Sequence, residues 1–182
     1  MQLKSKHILF REVLEDDIPQ IHQLNILPEV DKYNTLGIPK NIKETQDLTI
    51  SWITAQQQNP REKYVWLLQN EEGYFIGLFG LNKGKKNYFN AEIWYKLFPE
   101  FWNKGFATEA VKCVLNFCFF ELKLHRITAG CATENVASIK VLQKAGFKKE
   151  AHHRKILPIR GHWIDNYEFA ILEEDYFKSA FE

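Results

Sequence analysis

The segment WNKGFATEA at residues 102–110 holds the residue types most suited to binding an anion. Pro99 ends the strand-like run before it, and Gly105 and Ala107 keep side chains small where a long helix begins. The first N–H groups of a helix have no intrahelical partner and the helix dipole adds positive charge there, so a phosphate fits at such a point. Gly105 lets the chain approach a diphosphate closely, and Lys104 adds a charge-assisted contact. A plain helix start with a glycine is the alternative for this segment taken alone. The chain has neither a GxGxxG pattern nor a GxxxxGK run followed by Ser or Thr, which disfavours a dinucleotide or a nucleoside triphosphate.

Groups able to move protons lie further on. Ser138 sits near the start of an Asn-initiated helix within HRITAGCATENVASIKVLQKAGF, residues 125–147. His152, His153, His162 and Asp165 follow, and imidazoles titrate near neutrality. Adjacent histidines on a strand point to opposite faces, so at most one of His152 and His153 faces a given site. Cys113, Cys118 and Cys131 are odd in number and form no CxxC pair or Cys/His cluster, so no disulfide framework and no metal site is expected.

The elements that must position these groups read as follows. Residues 7–13 are strand-like, and the acidic residues 15–17 open an amphipathic helix that ends before Pro28. Residues 29–40 are turn-rich, and 41–59 form a second helix closed by Pro60. Strand-like runs at 63–69, 74–81 and 88–97 are separated by NEEG and NKGKKN, which read as hairpin signals. Ala107, Ala110, Val111, Val114, Leu115, Cys118, Phe119 and Leu122 then recur at helical spacing, predicting a long helix with one buried face. A strand at 126–131, a helix at 135–145 stopped by Gly146, and two strands across 148–172 around a loop at 157–161 complete the order βααβββαβαββ.

With 182 residues, 45% hydrophobic and 26% charged, the length and composition predict one globular domain over residues 1–182. A formal charge of +1 supplies no global field for nucleic acid or an anionic membrane, so any anion site is local. No apolar stretch approaches the roughly 20 residues that a membrane span needs. The thiols and the absence of a signal-like start point to a cytoplasmic location. A homodimer is compatible with the exposed edges of an antiparallel sheet.

Taken together, AEIWY at 91–95, FWNKGFATEA at 101–110, ENVAS at 134–138, KAGF at 144–147 and GHWIDNYEFAIL at 161–172 resemble the GNAT superfamily of acyl-CoA-dependent N-acyltransferases. Within it they look like the branch of ribosomal-protein N-terminal acetyltransferases RimJ and RimL. The resemblance spans nearly the whole chain and implies an α+β fold, with a mixed, mostly antiparallel sheet that splays between two central strands and is flanked by helices. It implies acetyl-CoA as cosubstrate and transfer to a primary amine by direct attack in a ternary complex. The amine would be a protein N-terminus, with a polyamine, amino sugar or aminoglycoside as the small-molecule alternative. A catalytically silent acyl-CoA-binding module is the reading of another class.

Residue by residue, the resemblance implies that the backbone of Asn103, Lys104, Gly105, Phe106, Ala107 and Thr108 cradles the diphosphate of coenzyme A. Tyr95, Lys96 and Leu97 would pair with the pantetheine arm through their main chain, and Asn135 would bond the same arm or simply cap its helix. Trp102 stands where the superfamily usually has Arg or Gln. Ser138 matches the serine assigned as general acid in RimL-like enzymes, while the tyrosine used elsewhere falls on Leu142. The carboxylate assigned as base falls on Leu157, which cannot accept a proton, so Glu92 is the substitute, on the strand face of Trp94 and opposite Ile93. Trp52, Tyr33 and Trp163 are candidates for an acceptor slot, with a core role as the plainer reading. HHRK at 152–155 with Arg160 suits an acidic acceptor or a solvated strand face, and KGKK at 83–86 suits a charged hairpin tip or the cofactor's 3′-phosphate.

Overall fold

Strand β3 (Lys63–Gln69) shows how the sheet is buried on both sides. Tyr64, Trp66 and Leu68 enter one apolar cluster, whereas the alternate Val65 and Leu67 enter another. The computed structural model describes residues 2–180. Along the chain it runs β1 (Leu3–Lys4), β2 (Leu9–Glu12), α1 (Ile18–Asn25), α2 (Pro28–Asp31), α3 (Ile42–Gln56), β3, β4 (Phe75–Lys83), β5 (Asn90–Leu97), α4 (Phe106–Asn116), β6 (Arg126–Ala132), α5 (Val136–Lys144), β7 (Lys148–Ile159), β8 (His162–Leu172) and α6 (Glu173–Ala180).

The eight strands form one sheet in the order β1-β2-β3-β4-β5-β6-β8-β7. Among the described residues only β5 and β6 are parallel, and they pair at three positions, Asn90 with Arg126, Ala91 with Ile127 and Glu92 with Thr128. Beyond Glu92 the two strands part, β5 staying on β4 and β6 staying on β8. The sheet is therefore mixed, mostly antiparallel and splayed at its centre.

Helices α4 and α5 cover one face, where Ala110, Val111, Val114 and Leu115 are fully buried with Phe10, Trp66 and Phe79. Helices α1 and α3 cover the other face over β3, β4 and β5, where Ile21, Leu24 and Trp52 meet Val65, Leu67, Leu78 and Trp94. Gly80 is required there, because a Cβ would collide with the Trp94 indole lying across β4.

Three expectations are corrected and one element is added. Residues 15–17 form a separate turn before α1, because Asp17 directs its carboxylate back to Arg11 (2.7 Å to each guanidinium nitrogen), the Leu14 amide and Gln20. The long helix stops being regular at Asn116 and widens into a π-turn, with the Leu122 N–H donating to Phe117 O, so that Phe117, Cys118 and Phe119 are all buried. The loop expected at 157–161 shrinks to Arg160 and Gly161, both at positive φ, the conformation of a two-residue hairpin turn. Helix α6, absent from the sequence reading, packs Tyr176 and Phe177 on Phe119 and Phe120.

Candidate active site

Where β5 and β6 separate, β5 is left with one edge free of a neighbouring strand. The N–H of Phe98 donates to Ile76 O and the N–H of Gly84 to Asn90 O, so the even-numbered peptide groups of β5 face β4. Strand alternation then turns the peptide groups of Tyr95 and Leu97 into the cleft. Lys96 is corrected by the same geometry: it lies opposite Leu78, and its main chain belongs to the β4 ladder rather than to the cleft. The Leu97 carbonyl accepts the Trp102 indole N–H at 2.8 Å, which ties the loop after β5 to the strand and gives Trp102 a positioning role.

That loop leads into α4 with Asn103 at φ 58 and Gly105 at φ 89, both left-handed. Nothing lies within 4 Å of a Cβ built on Gly105, so glycine answers the backbone conformation and not a crowded neighbour. The first bond of α4 runs from the Glu109 N–H to Gly105 O. The N–H groups of Phe106, Ala107 and Thr108 thus have no intrahelical acceptor and are free for an anion at the mouth of the cleft. These features fit a diphosphate followed by an extended amide-bearing arm, the shape of coenzyme A. A separate groove of about 1130 Å3 between the N-terminal segment and α4 meets the cradle at Gly105 and Thr108 and includes none of Tyr95, Glu92 or Ser138.

On the α4 side of β5, Tyr95 stacks on Phe79 and its phenol shares a 2.9 Å hydrogen bond with the Ser138 hydroxyl. Burial pushes the Tyr95 phenol well above its ordinary value, against the opposing effect of the Ser138 hydrogen bond, so it stays protonated. Asn135 caps α5, its Oδ1 accepting the Ser138 N–H at 3.2 Å, and this fixes Ser138 in the first turn. Leu142 is buried and Leu157 pairs with Ile164, so neither has a proton to move.

Glu92, Trp94 and Lys96 face the opposite side. Glu92 stands at the last paired position before the strands part, and its side chain reaches solvent. Surrounding protein mass, then the charge of Glu168, raises its pKa above the usual carboxylate value. The sequence reading missed Glu168, which lies opposite Gly130 of β6 on the Glu92 face. The Lys96 ammonium donates to Asn25 Oδ1 at 2.9 Å, and burial brings its pKa down to about 8, with Asp31 acting in the opposite direction.

The remaining candidates are held elsewhere. His152 bonds Asp165 at 2.7 Å and His153 bonds Glu168 at 2.9 Å, and the two rings lie on opposite faces as expected for neighbours on a strand. Arg160 bonds Asp31 and the Pro28 carbonyl, docking the β7–β8 turn on α2, and Lys155 lies 3.8 Å from Asp165, so carboxylates neighbour His152, His153, Lys155 and Arg160 of the basic cluster. Trp52 is buried against Trp94, Tyr33 donates to Glu134 O at 3.0 Å, and Trp163 is exposed. His162 is exposed at the start of β8. The 83–86 lysines lie at the far end of the eight-residue strand β5 from the α4 cradle, roughly 25 Å away at about 3.3 Å per residue, too far to reach the same cofactor's phosphates directly.

The family model described as "Acetyltransferase (GNAT) domain" matches residues 7–148. The chain is 32% identical over 178 residues, 97% of its own length and 99% of the relative's, to "Uncharacterized N-acetyltransferase YnaD" of Bacillus subtilis. It is 25% identical to a spermidine N(1)-acetyltransferase of Vibrio cholerae, over 94% of this chain and 96% of the other. The crystal structure of a GNAT-family acetyltransferase from Bacillus anthracis superposes with a TM-score of 0.84 at 29% identity, covering 96% of this chain and 99% of that one. With the family pattern running from the strands before the splay through the α4 cradle to the helix that carries Ser138, the chain belongs to the GNAT acetyltransferases and is an acyl-CoA-dependent N-acetyltransferase.

Proposed function

We propose that this protein acetylates the N-terminal amine of a protein or peptide, as the RimJ- and RimL-like branch does, with acetyl-CoA laid along the cleft edge of β5. The observation that carries the reaction is the division of β5 into two chemical faces, with the Tyr95–Ser138 pair on one and Glu92 on the other. Acetyl-CoA supplies the activated acetyl group. Tyr95 and Leu97 turn their peptide groups toward its arm, and the N–H groups of residues 106–108 face its diphosphate. The amine must lose a proton to become a nucleophile, and Glu92, with its raised pKa, receives it directly or through water. As the carbon–nitrogen bond forms and the carbon–sulfur bond breaks, Ser138 gives a proton to the leaving thiolate, Tyr95 restores it, and the second proton lost by the attacking nitrogen returns to Tyr95 through water. The sum is an N-acetylated amine, free thiol and one proton released.

The N-terminal reading is supported by a likeness, 29% identical over 58% of this chain, to "Putative ribosomal N-acetyltransferase YdaF" of Bacillus subtilis. A polyamine acceptor is the second reading, favoured by the nearly full-length likeness to the spermidine enzyme. Free thiols at Cys113, Cys118 and Cys131 suit a cytoplasmic protein. Initial rates with acetyl-CoA and equal concentrations of a free-amine hexapeptide, its N-blocked form and spermidine decide between the readings. Transfer to the free peptide above spermidine is expected, and spermidine as the faster acceptor would overturn the N-terminal reading.

A further inference from the structure

On the Glu92 face of β5, Lys96 is a cation that the fold leaves under-used. Arg160 is committed to Asp31 and Pro28 O, Arg126 to Glu150, and His153 to Glu168. Lys96 has three N–H bonds and one protein acceptor, Asn25 Oδ1, at the C-terminal end of α1, and makes no ion pair among the described residues. Its side chain is half-buried, beside Trp94 and on the same strand face as Glu92. The bond to Asn25 holds the amine and uses one of its three N–H bonds, and Lys96 follows Glu92 by four residues on that strand face, about 13 Å along β5.

We infer that Lys96 is a specificity-determining residue, whose free N–H bonds take the first carbonyl oxygen of a peptide acceptor while that acceptor's amine is directed to Glu92. The assignment rests on the proposed acetyl transfer and names the acceptor's chemistry: an α-amino amide, with an oxygen next to the reacting amine. A polyamine offers only N–H groups and further positive charge, and Lys96 repels both. An ammonium stripped of much of its water gains more from an added oxygen than one in solvent, which is the sense of its lowered pKa. Asp31 and, through it, Arg160 are the charged groups that face Lys96 from α2 and the β7–β8 turn.

The test uses the intact protein and acetyl-CoA with three acceptors: a short free-amine peptide, the same peptide with its first amide replaced by a trans-alkene that removes only the oxygen, and spermidine. The wild type should prefer the peptide to its alkene form by about tenfold or more in kcat/KM, the scale of a hydrogen bond from a charged donor. In Lys96→Met that preference should collapse toward unity, chiefly through KM, and Lys96→Arg should restore part of it. Equal use of peptide and alkene by the wild type overturns the inference without any variant. An unchanged preference in Lys96→Met overturns it as well. Rapid spermidine transfer with the peptide ignored overturns it while leaving acetyl transfer intact. Transfer to none of the three overturns both.

Discussion

The hydroxyls of Tyr95 and Ser138 stand 2.9 Å apart, joining the strand that faces the cofactor cleft to the first turn of α5. The phenol is buried and stays protonated, and in the proposed mechanism it resupplies the serine within the catalytic cycle. Ser138→Ala should lower kcat by about a hundredfold, the lower end of what general acid catalysis contributes, and Tyr95→Phe by about tenfold. The double variant should be no slower than Ser138→Ala, since the two groups act in series. Steady-state rates of the four proteins give the cycle, and multiplicative losses would mean that Tyr95 acts only on the fold.

Glu92 should control the acidic limb of the rate profile. Its pKa is raised by burial and then by Glu168, and in the proposed mechanism its ionised form is the base, so kcat/KM should rise with pH until that carboxylate is deprotonated. Glu92→Gln should lower the rate by about a hundredfold and flatten the limb. Glu168→Gln removes a neighbouring negative charge and should move the limb to lower pH. A limb that stays in place in both variants would assign it to another group.

The long apolar period from Ala107 was legible because a helix that buries one face repeats every three or four residues, and Ala110, Val111, Val114 and Leu115 are fully buried. The splay was legible only through family resemblance, since nothing local in residues 90–97 states which neighbour β5 loses. Tyr95 and Ser138 are 43 positions apart, so their hydrogen bond exists only once β5 and α5 are packed. Lys96 entered the sequence reading only through its main chain, and the burial of its side chain depends on α1 lying over it. Helix α6 escaped because its aromatic pair has meaning only against Phe119 and Phe120.

Lys96 should cost stability at neutral pH. Its folded pKa of about 8 lies below the ordinary lysine value, so the unfolded chain binds the proton more tightly and stability rises as pH climbs from 8 toward that ordinary value. Lys96→Met should therefore melt at or above the wild type near pH 7. The gap should narrow by about pH 10. Calorimetric melting at both pH values checks this, and a variant less stable at both would make Lys96 a structural tie.

Asp17 behaves oppositely. Burial disfavours its charge, but the Arg11 guanidinium, the Leu14 amide and Gln20 outweigh that and hold its pKa below the ordinary value. Its contribution is present above the ordinary aspartate pKa and is lost as pH falls through the lowered one. Asp17→Asn leaves Arg11 unpaired and should cost about 3 kcal/mol in urea denaturation at pH 7, with a smaller loss in acid. A constant difference across that range would contradict the assignment.

Gly105→Ala meets no neighbour but forces a side chain onto a residue at φ 89. The strain of about 1–2 kcal/mol should lower stability and weaken acetyl-CoA binding together, because the same backbone conformation aims the N–H groups of α4. Denaturation and calorimetric titration read the two effects, and a loss of neither would show that the loop relaxes freely.

The most direct measurement pairs acetyl-CoA binding with turnover in the wild type and in Ser138→Ala, using a free-amine peptide as acceptor. In the proposed mechanism Ser138 returns a proton to the thiolate and does not hold the diphosphate. The variant should thus bind acetyl-CoA within about threefold of the wild type while transferring acetyl about a hundredfold more slowly. Transfer at the wild-type rate by Ser138→Ala would contradict the assignment of the acid, and failure of the wild type to bind acetyl-CoA would contradict the cleft itself.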